Sequence, residues 1–317
     1  MSKTSAGEAR GNLAEQGHLV DMEQFLAGEQ GRAPAAGDEL CRLLEAGKIL
    51  YFRESPFALS GGDTDVLLRQ RLSQAGWHKN IAYRPRQDRV TGFDAAHADA
   101  KRLHAALRNY SRQSLAYTAG LLPAYGACWR LDYASFRPLE EQGRQLRLHA
   151  RNDLIHVDSF PKRPTHGDRI LRIFMNINPA AERHWITGEP FDVLAAELGA
   201  DFARLFLRSP RASLWKRAAR IVGFNHRGSA YDDAMRGIHQ LMKENSEFQA
   251  NCRQHHSHFP PGSAWLVFTD AVPHAVVSGQ YALEQTVIVP RSAMFSPEKS
   301  PAAVLERIAA ARPAKAA

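Results

Sequence analysis

The chain has 317 residues, with 41 Lys and Arg against 33 Asp and Glu, a formal net charge of +8 and 44% hydrophobic residues. That length and composition suit a soluble protein with a full core and exclude collagen-like chains and small disulfide scaffolds. No run approaches the ~18 uncharged apolar residues of a bilayer span, and the opening MSKTSAGEARGNLAEQGH has no apolar signal core, so a cytoplasmic location is expected. Cys41, Cys128 and Cys252 form no CxxC pair, which fits a reducing compartment and argues against a cysteine zinc site.

Residues 1–36 read as a flexible N-terminal segment with one short helix around Leu19–Leu26. From Asp38 to about Gly120 the pattern is mainly helical. Leu40, Leu43 and Leu44 precede Gly47, Asp63–Leu72 follows a Gly-Gly break, and Leu103, Leu107 and Tyr110 recur at i, i+4 and i+7. Lys48–Phe52 and Ile81–Tyr83 read as short strands between these helices. After Gly120 the texture turns to β, with strands predicted in Cys128–Pro138, Asn152–Phe160, Asp168–Pro179, Ser263–Asp270 and His274–Pro290. The last of these reads as a hairpin joined through Ser278-Gly279-Gln280.

A helical insert, about residues 191–250, interrupts the strands, and Met235, Ile238, Leu241 and Met242 mark one of its helices. Val304, Leu305 and Ile308 suggest a final helix within a C-terminal segment, 296–317. The expectation is α+β: one domain, 37–295, in which helices buttress an antiparallel β core. The insert also carries seven cations and no acid between Phe202 and Ala230: Arg204, Arg208, Arg211, Lys216, Arg217, Arg220 and Arg227. Such a run is either a solvated basic helix or the neighbour of something anionic. No nucleic-acid motif accompanies it, so no nucleic-acid partner is expected.

The strand Ile170–Asn178 separates two faces with a period of two. Leu171, Ile173, Met175 and Ile177 make one apolar face, whereas Ile170, Arg172, Phe174, Asn176 and Asn178 make the other. That polar face either meets water on a half-exposed sheet or lines a barrel holding a charged ligand.

His156-Val157-Asp158 would place an imidazole and a carboxylate on the same face of a strand. With His274 before the last hairpin as third ligand, the set is two histidines and one carboxylate, the facial triad of non-haem Fe(II) oxygenases. His255-His256-Ser257-His258, followed by Phe-Pro-Pro-Gly, reads as a surface cluster in a loop. His149 and His166 read as surface or supporting residues. Neither a glycine-rich phosphate loop nor a GxSxG elbow is present.

Together, Leu154–Pro179 (LIHVDSFPKRPTHGDRILRIFMNINP), Arg183–Trp185 (RHW), Pro260–Asp270 (PPGSAWLVFTD) and Val272–Thr286 (VPHAVVSGQYALEQT) resemble the Kdo 3-hydroxylase family. These Fe(II)/2-oxoglutarate-dependent dioxygenases act on 3-deoxy-D-manno-oct-2-ulosonic acid (Kdo) of lipopolysaccharide. The resemblance implies a double-stranded β-helix, or jelly-roll, core. It implies His156, Asp158 and His274 as iron ligands and catalytic residues, 2-oxoglutarate and O₂ as cosubstrates, and ascorbate as reductant in vitro. Many dioxygenases of this class anchor 2-oxoglutarate on an arginine near the start of the last core strand. This sequence has Gln285 there, leaving the anchor between Arg172 and Arg291. Arg137, Arg183 and Trp185, with Arg172 as a further member, form the expected substrate set.

The implied reaction is hydroxylation at C3 of the Kdo of Kdo-lipid A, with release of succinate and CO₂. Leu214 and Trp215 beside Lys216, Arg217 and Arg220, then Ile221, Val222 and Phe224, suit peripheral contact with the anionic cytoplasmic face of the inner membrane. The alternatives are a related dioxygenase on another anionic or lipid-linked substrate and a non-catalytic jelly-roll that binds anionic glycan.

Overall fold

The computed structural model describes residues 17–28, 33–73, 80–96, 99–208 and 228–311. Arg211, Lys216, Arg217, Arg220 and Arg227 of the basic run, and the apolar residues expected beside them against lipid, lie outside the described residues.

The strands are β1 Leu19–Asp21, β2 Ile49–Phe52, β3 Ile81–Arg84, β4 Arg89–Thr91, β5 Arg130–Arg137, β6 Arg169–Asn176, β7 Arg183–Thr187, β8 His255–Phe259, β9 Ala264–Phe268, β10 His274–Ser278 and β11 Ala282–Val289. Eight of them form a major sheet in the order β1-β2-β9-β6-β11-β5-β3-β4, and β10-β7-β8 form a minor one. Apart from the parallel β1–β2 pair, neighbouring strands are antiparallel. This is the jelly-roll core with helices against it.

Two-residue alternation decides what each face of the major sheet meets. Leu171, Ile173 and Met175 of β6, Leu266 and Phe268 of β9, and Leu283, Val287 and Val289 of β11 pack against the helices Ala33–Glu45, Gly61–Leu68 and Ala100–Leu121. The long helix starts where Asp99 accepts a hydrogen bond from the Arg102 amide, and it buries Leu103, Leu107 and Tyr110 on its sheet side. The opposite sheet face carries Arg172, Phe174 and Asn176. All eight residues of β6 are buried, so this polar face looks into the barrel rather than into water. Asn176 shows how polarity is tolerated there: its Nδ2 donates to the carbonyls of Phe259 at 2.9 Å and Ala181 at 3.0 Å.

An aromatic plug closes one part of the barrel. Phe259 and Phe174 stack on Trp265, with centroids 3.9 and 5.1 Å away, and Trp185 meets all three rings edge-on. Among the described residues, the helices Phe191–Glu197, Gly199–Arg208, Ala230–Glu244 and Ser246–Asn251 lie between β7 and β8. With Pro301–Ala310 they bury a separate apolar cluster that includes Ile155 and Val157, pressing the His-Val-Asp segment onto the barrel. A capping box between Ser229 and Asp232 starts the helix Ala230–Glu244, and Asp232 also accepts from the amides of Thr165 and His166. The helix is thereby tied to the loop that follows Asp158.

Four sequence expectations change. Leu19–Leu26 begins as a strand, because β1 pairs with β2, and turns helical only at Met22. Asn152–Phe160 is not a strand: His156 makes a single bridge to His274. His255–Phe259 is an edge strand rather than a loop, with His256 and His258 outward and Ser257 and Phe259 inward against β7. Finally, β10 and β11 do not form a hairpin, since β10 pairs with β7 and β11 with β5 and β6. The turn between them carries the chain across from one sheet to the other. Gly279 sits there at φ 123°, and a Cβ on it would lie 2.7 Å from Arg183 Cγ, so the tight crossover needs glycine.

Candidate active site

His156 and His274 are held together by their own backbones, each amide donating to the other's carbonyl at 3.1 and 2.9 Å. The Asp158 amide donates to Thr269 at 2.8 Å, fixing the third side chain. That bridge, the Asp158 bond, the Val276 amide donating to the Asn152 carbonyl at 2.8 Å and the Gln249 side chain, which bonds both the amide and the carbonyl of Ile155 at 2.9 Å, together do the work of a full strand. Within each histidine, Nδ1 lies at hydrogen-bond distance from a carbonyl two residues earlier: Leu154 at 2.7 Å and Val272 at 3.0 Å. A neutral ring that donates from Nδ1 presents its Nε2 lone pair to the cavity. Among the described residues this is the one group of three such side chains whose ligand atoms lie mutually within 4.8 Å.

The donor set fits a divalent transition ion. Asp158 Oδ2 is buried and accepts no well-aligned hydrogen bond, although Arg172 Nη2 lies 3.1 Å away. Burial, the nearby His274 and Lys243 keep His156 well below its ordinary value. Burial also lowers His274, against the opposing pull of Asp158. For Asp158, burial alone would raise the carboxyl, but Arg172, His274 and His156 outweigh it and hold it below the usual carboxylate range. Two neutral imidazoles and an ionised carboxylate are the protonation states that metal binding requires.

These groups open onto a cavity of about 340 Å³. Among the described residues its lining includes five cations, Arg137, Arg172, Arg183, Arg236 and Lys243, against a single carboxylate, Asp158. Glu284 on β11 lies behind the lining and compensates part of the charge, accepting from Arg137 at 2.6 Å and pairing with Arg172 at 3.0 Å. Burial would raise Glu284, but these two arginines hold it low. Arg183 is different. It is 1% exposed, its hydrogen bond goes to the Gly279 carbonyl, and the nearest carboxylate, Glu141, is 3.9 Å away. Burial and the like charge of Arg137 push its guanidinium down to about 10, and its Nε has no hydrogen-bond partner. Trp185, two residues on, stacks against His274 at 5.2 Å and 17°.

A profile of the family described as 3-deoxy-D-manno-oct-2-ulosonic acid (Kdo) hydroxylase matches residues 28–312. The chain belongs to the Kdo hydroxylase family. Among solved structures it is similar to the Kdo hydroxylase KdoO, described as a non-heme Fe(II) alphaketoglutarate dependent dioxygenase. The apo form is 34% identical, with a TM-score of 0.77 over 89% of this chain and 95% of that one. The complex with alphaketoglutarate and Fe(III) is also 34% identical, with a TM-score of 0.76 over 91% and 94%. The cobalt(II) complex is 33% identical, with a TM-score of 0.79 over 94% and 100%. No curated protein matches the sequence.

On this Kdo hydroxylase chain the expected site residues divide. His156, Asp158, His274, Arg137, Arg172, Arg183 and Trp185 all border the one cavity. Gln285 and Arg291 do not. Gln285 shares the outer face of β11 with Leu283 and Val287, where its Oε1 accepts from Ser111 of the long helix at 2.7 Å. Arg291 lies past the end of β11 and pairs with Glu306 at 3.1 Å. The anchor position expected in the last strand therefore points away from the cavity, by the same two-residue alternation that turns Glu284 toward it.

Several polar cavity residues carried no signal in the sequence, among them Asn80, Asn152, Arg236, His239, Gln240 and Lys243. Arg236, His239 and Lys243 come from the helix Ala230–Glu244, and their spacing of three and four would have found them once that helix was known to cover the barrel. Lys243 is 3% exposed, an extreme for lysine, with Nζ donating to the carbonyls of Arg151 and His149. His149 also lines the cavity, whereas His166 lies elsewhere beside Asp232.

Proposed function

We propose that this enzyme hydroxylates C3 of the Kdo sugar of Kdo-lipid A, consuming O₂ and 2-oxoglutarate and releasing succinate and CO₂, with ascorbate as reductant in vitro. The observation that carries this reading is the His156-Asp158-His274 triad at the wall of a cavity lined by five cations. A dicarboxylic cosubstrate and a sugar acid both call for such charge. KdoO complexes with alphaketoglutarate and with succinate support the cosubstrate.

Iron bound to the triad would supply O₂ activation coupled to decarboxylation of 2-oxoglutarate. The chain's own residues position and desolvate the reactants. Arg172 is held between Asp158 and Glu284, where it braces the metal carboxylate. Arg183 has no carboxylate closer than 3.9 Å and keeps its Nε without a hydrogen-bond partner, and we assign it the far carboxylate of 2-oxoglutarate. It lies two residues along β7 from Trp185, on the same inward face, and both border the cavity with the triad. Arg137 and the helix cations Lys243 and Arg236 remain for the sugar carboxylate and hydroxyls. A C–H bond offers no polar handle, so specificity must come from fixing the groups around it. The aromatic plug keeps the barrel side of the cavity dry.

Among the described residues no helix is long and apolar enough to cross a membrane. Peripheral contact of the basic insert with the anionic cytoplasmic face of the inner membrane completes the proposal. Mass spectrometry of Kdo-lipid A after incubation with Fe(II), ascorbate, O₂ and the protein tests it. One added oxygen at C3 is expected only when 2-oxoglutarate is present, and none with His156→Ala. Succinate formation without sugar oxidation would reject this acceptor.

A further inference from the structure

A second cavity, about 500 Å³, lies beside the first. Three elements run from one to the other. Before β3, Asn80 borders the metal cavity, while Arg84 at the strand's end borders the second. On β5, Arg137 lines the metal cavity, and Tyr133 and Arg130 line the other. In the loop after Asp158, Ser159 and Pro161 face the first cavity, and Lys162 and Arg163 the second. Arg137 and Tyr133 are four residues apart on one strand, ~13 Å, so one extended ligand could reach both cavities.

Among the described residues the second cavity is lined by five cations, Arg84, Arg86, Arg130, Lys162 and Arg163, and by one carboxylate, Asp132. Arg163 is paired with Asp132, and Arg130 with Asp168. Arg84, Arg86 and Lys162 form no ion pair among the described residues. Two guanidinium groups are ordered on one phenol ring, with Arg163 4.3 Å and Arg84 5.1 Å from the Tyr133 centroid, and the buried Arg84 Nε has no hydrogen-bond partner. Guanidinium groups fixed by stacking keep their forked donors for an oxyanion and lose little entropy on binding it. Three uncompensated cations around one cleft suit a dianion with three acceptor oxygens better than a carboxylate.

We propose that this cleft binds a phosphate group of the acceptor, some distance from the sugar held at the metal. The proposal rests on reading the acceptor as an anionic Kdo glycolipid, and makes the enzyme sensitive to phosphorylation at a position it does not oxidise.

The test compares the full-length protein with an Arg84→Gln/Arg86→Gln/Lys162→Gln variant, and with Lys162→Gln alone as a milder change at an exposed position. Inorganic pyrophosphate is first titrated calorimetrically onto the metal-free chains. Its affinity should fall about tenfold or more in the triple variant and less in the single one, as expected for lost charge-assisted hydrogen bonds. Equal affinity in all three would overturn the site. Turnover is then measured on a phosphorylated Kdo glycolipid and on the same acceptor after phosphatase treatment. Wild type should show a KM about tenfold lower for the phosphorylated form. The triple variant should erase that difference without moving the KM for 2-oxoglutarate.

Equal KM values for the two acceptors in wild type would overturn the assignment to the acceptor even if pyrophosphate bound, leaving free phosphate as the ligand. If wild type oxidised neither acceptor, the hydroxylase reading itself would fail, and with it the assignment to the acceptor. The pyrophosphate titration would still decide whether the cleft binds phosphate.

Discussion

The minor sheet carries histidines on both of its faces, and the two groups behave differently. Inside, His274 of β10 meets His156 and Asp158 with both Nδ1 atoms engaged by backbone carbonyls. Outside, His184 of β7 lies between His256 and His258 of β8. His184 Nε2 is 3.0 Å from His256 Nδ1, His184 stacks on His258 at 4.3 Å and 11°, and Glu182 pairs with His258 at 2.5 Å. The outer group has more imidazoles, but they are stacked or bonded to each other, whereas the inner rings are turned so that their free nitrogens converge. Metal-binding geometry comes from the backbone bonds that orient each ring, and burial then keeps those rings neutral.

The sharpest way to break this contrast is to remove a histidine from each face. Partners that merely orient metal ligands are worth about 10–100-fold in metal affinity or activity, so His156→Ala or Asp158→Ala should abolish measurable iron binding and turnover. His256→Ala should leave both unchanged; steady-state assays and metal analysis compare them directly.

Arg172→Gln comes next. It removes the neighbouring cation from Asp158 and one of two from Glu284, and breaking a buried ion pair costs about 3–5 kcal/mol. Urea denaturation of the metal-free variant should show that loss, and added Fe(II) should restore part of it by supplying Asp158 with a new positive partner.

Arg183→Gln should raise the KM for 2-oxoglutarate by about 10–100-fold, the worth of a charge-assisted hydrogen bond. Its kcat at saturation should change less, and Arg183→Lys should recover part of the affinity. An unchanged KM for 2-oxoglutarate would move the anchor to another cavity arginine.

The pH prediction is smaller. Burial, reinforced by Lys243, pushes His239 down to about 4 from its ordinary 6.5. Between those values the unfolded chain binds the additional proton, so stability of the metal-free protein rises with pH across that window and is lost on acidification. The contribution is on the order of 3 kcal/mol, and His156 and His274, also held low, act in the same direction. Denaturation midpoints from pH 4 to 7 should slope upward in wild type and less steeply in His239→Asn. Smallest of all, His258→Ala breaks an exposed pair and should change stability by less than about 0.5 kcal/mol.

Much of this architecture is legible in the sequence, and its gaps have physical causes. The polar face of β6 is explicit in Arg172, Phe174 and Asn176, because strand periodicity is local. His156-Val157-Asp158 is legible as chemistry but not as structure, because the bonds that hold it come from His239, Thr269 and His274, all distant in sequence. The β10–β11 crossover is hidden for a related reason: Ser278-Gly279-Gln280 has the composition of a hairpin turn, and only the pairing partners β7, β5 and β6 reveal that it changes sheets. Gln285 marks the limit of reasoning by position in a family. Once the register is known, its alternation with Glu284 puts it on the helix side. Lys243 was invisible because a lysine on an amphipathic helix ordinarily faces water, and its burial depends on the barrel beneath it.

Anaerobic Fe(II) titration with 2-oxoglutarate, followed by metal analysis, decides whether the inner histidines hold the iron when wild type is set beside His156→Ala/His274→Ala and His256→Ala/His258→Ala. One iron per chain is expected in wild type and in the outer-face variant, and none in the inner-face variant. Iron retained without His156 and His274, or lost without His256 and His258, would contradict it.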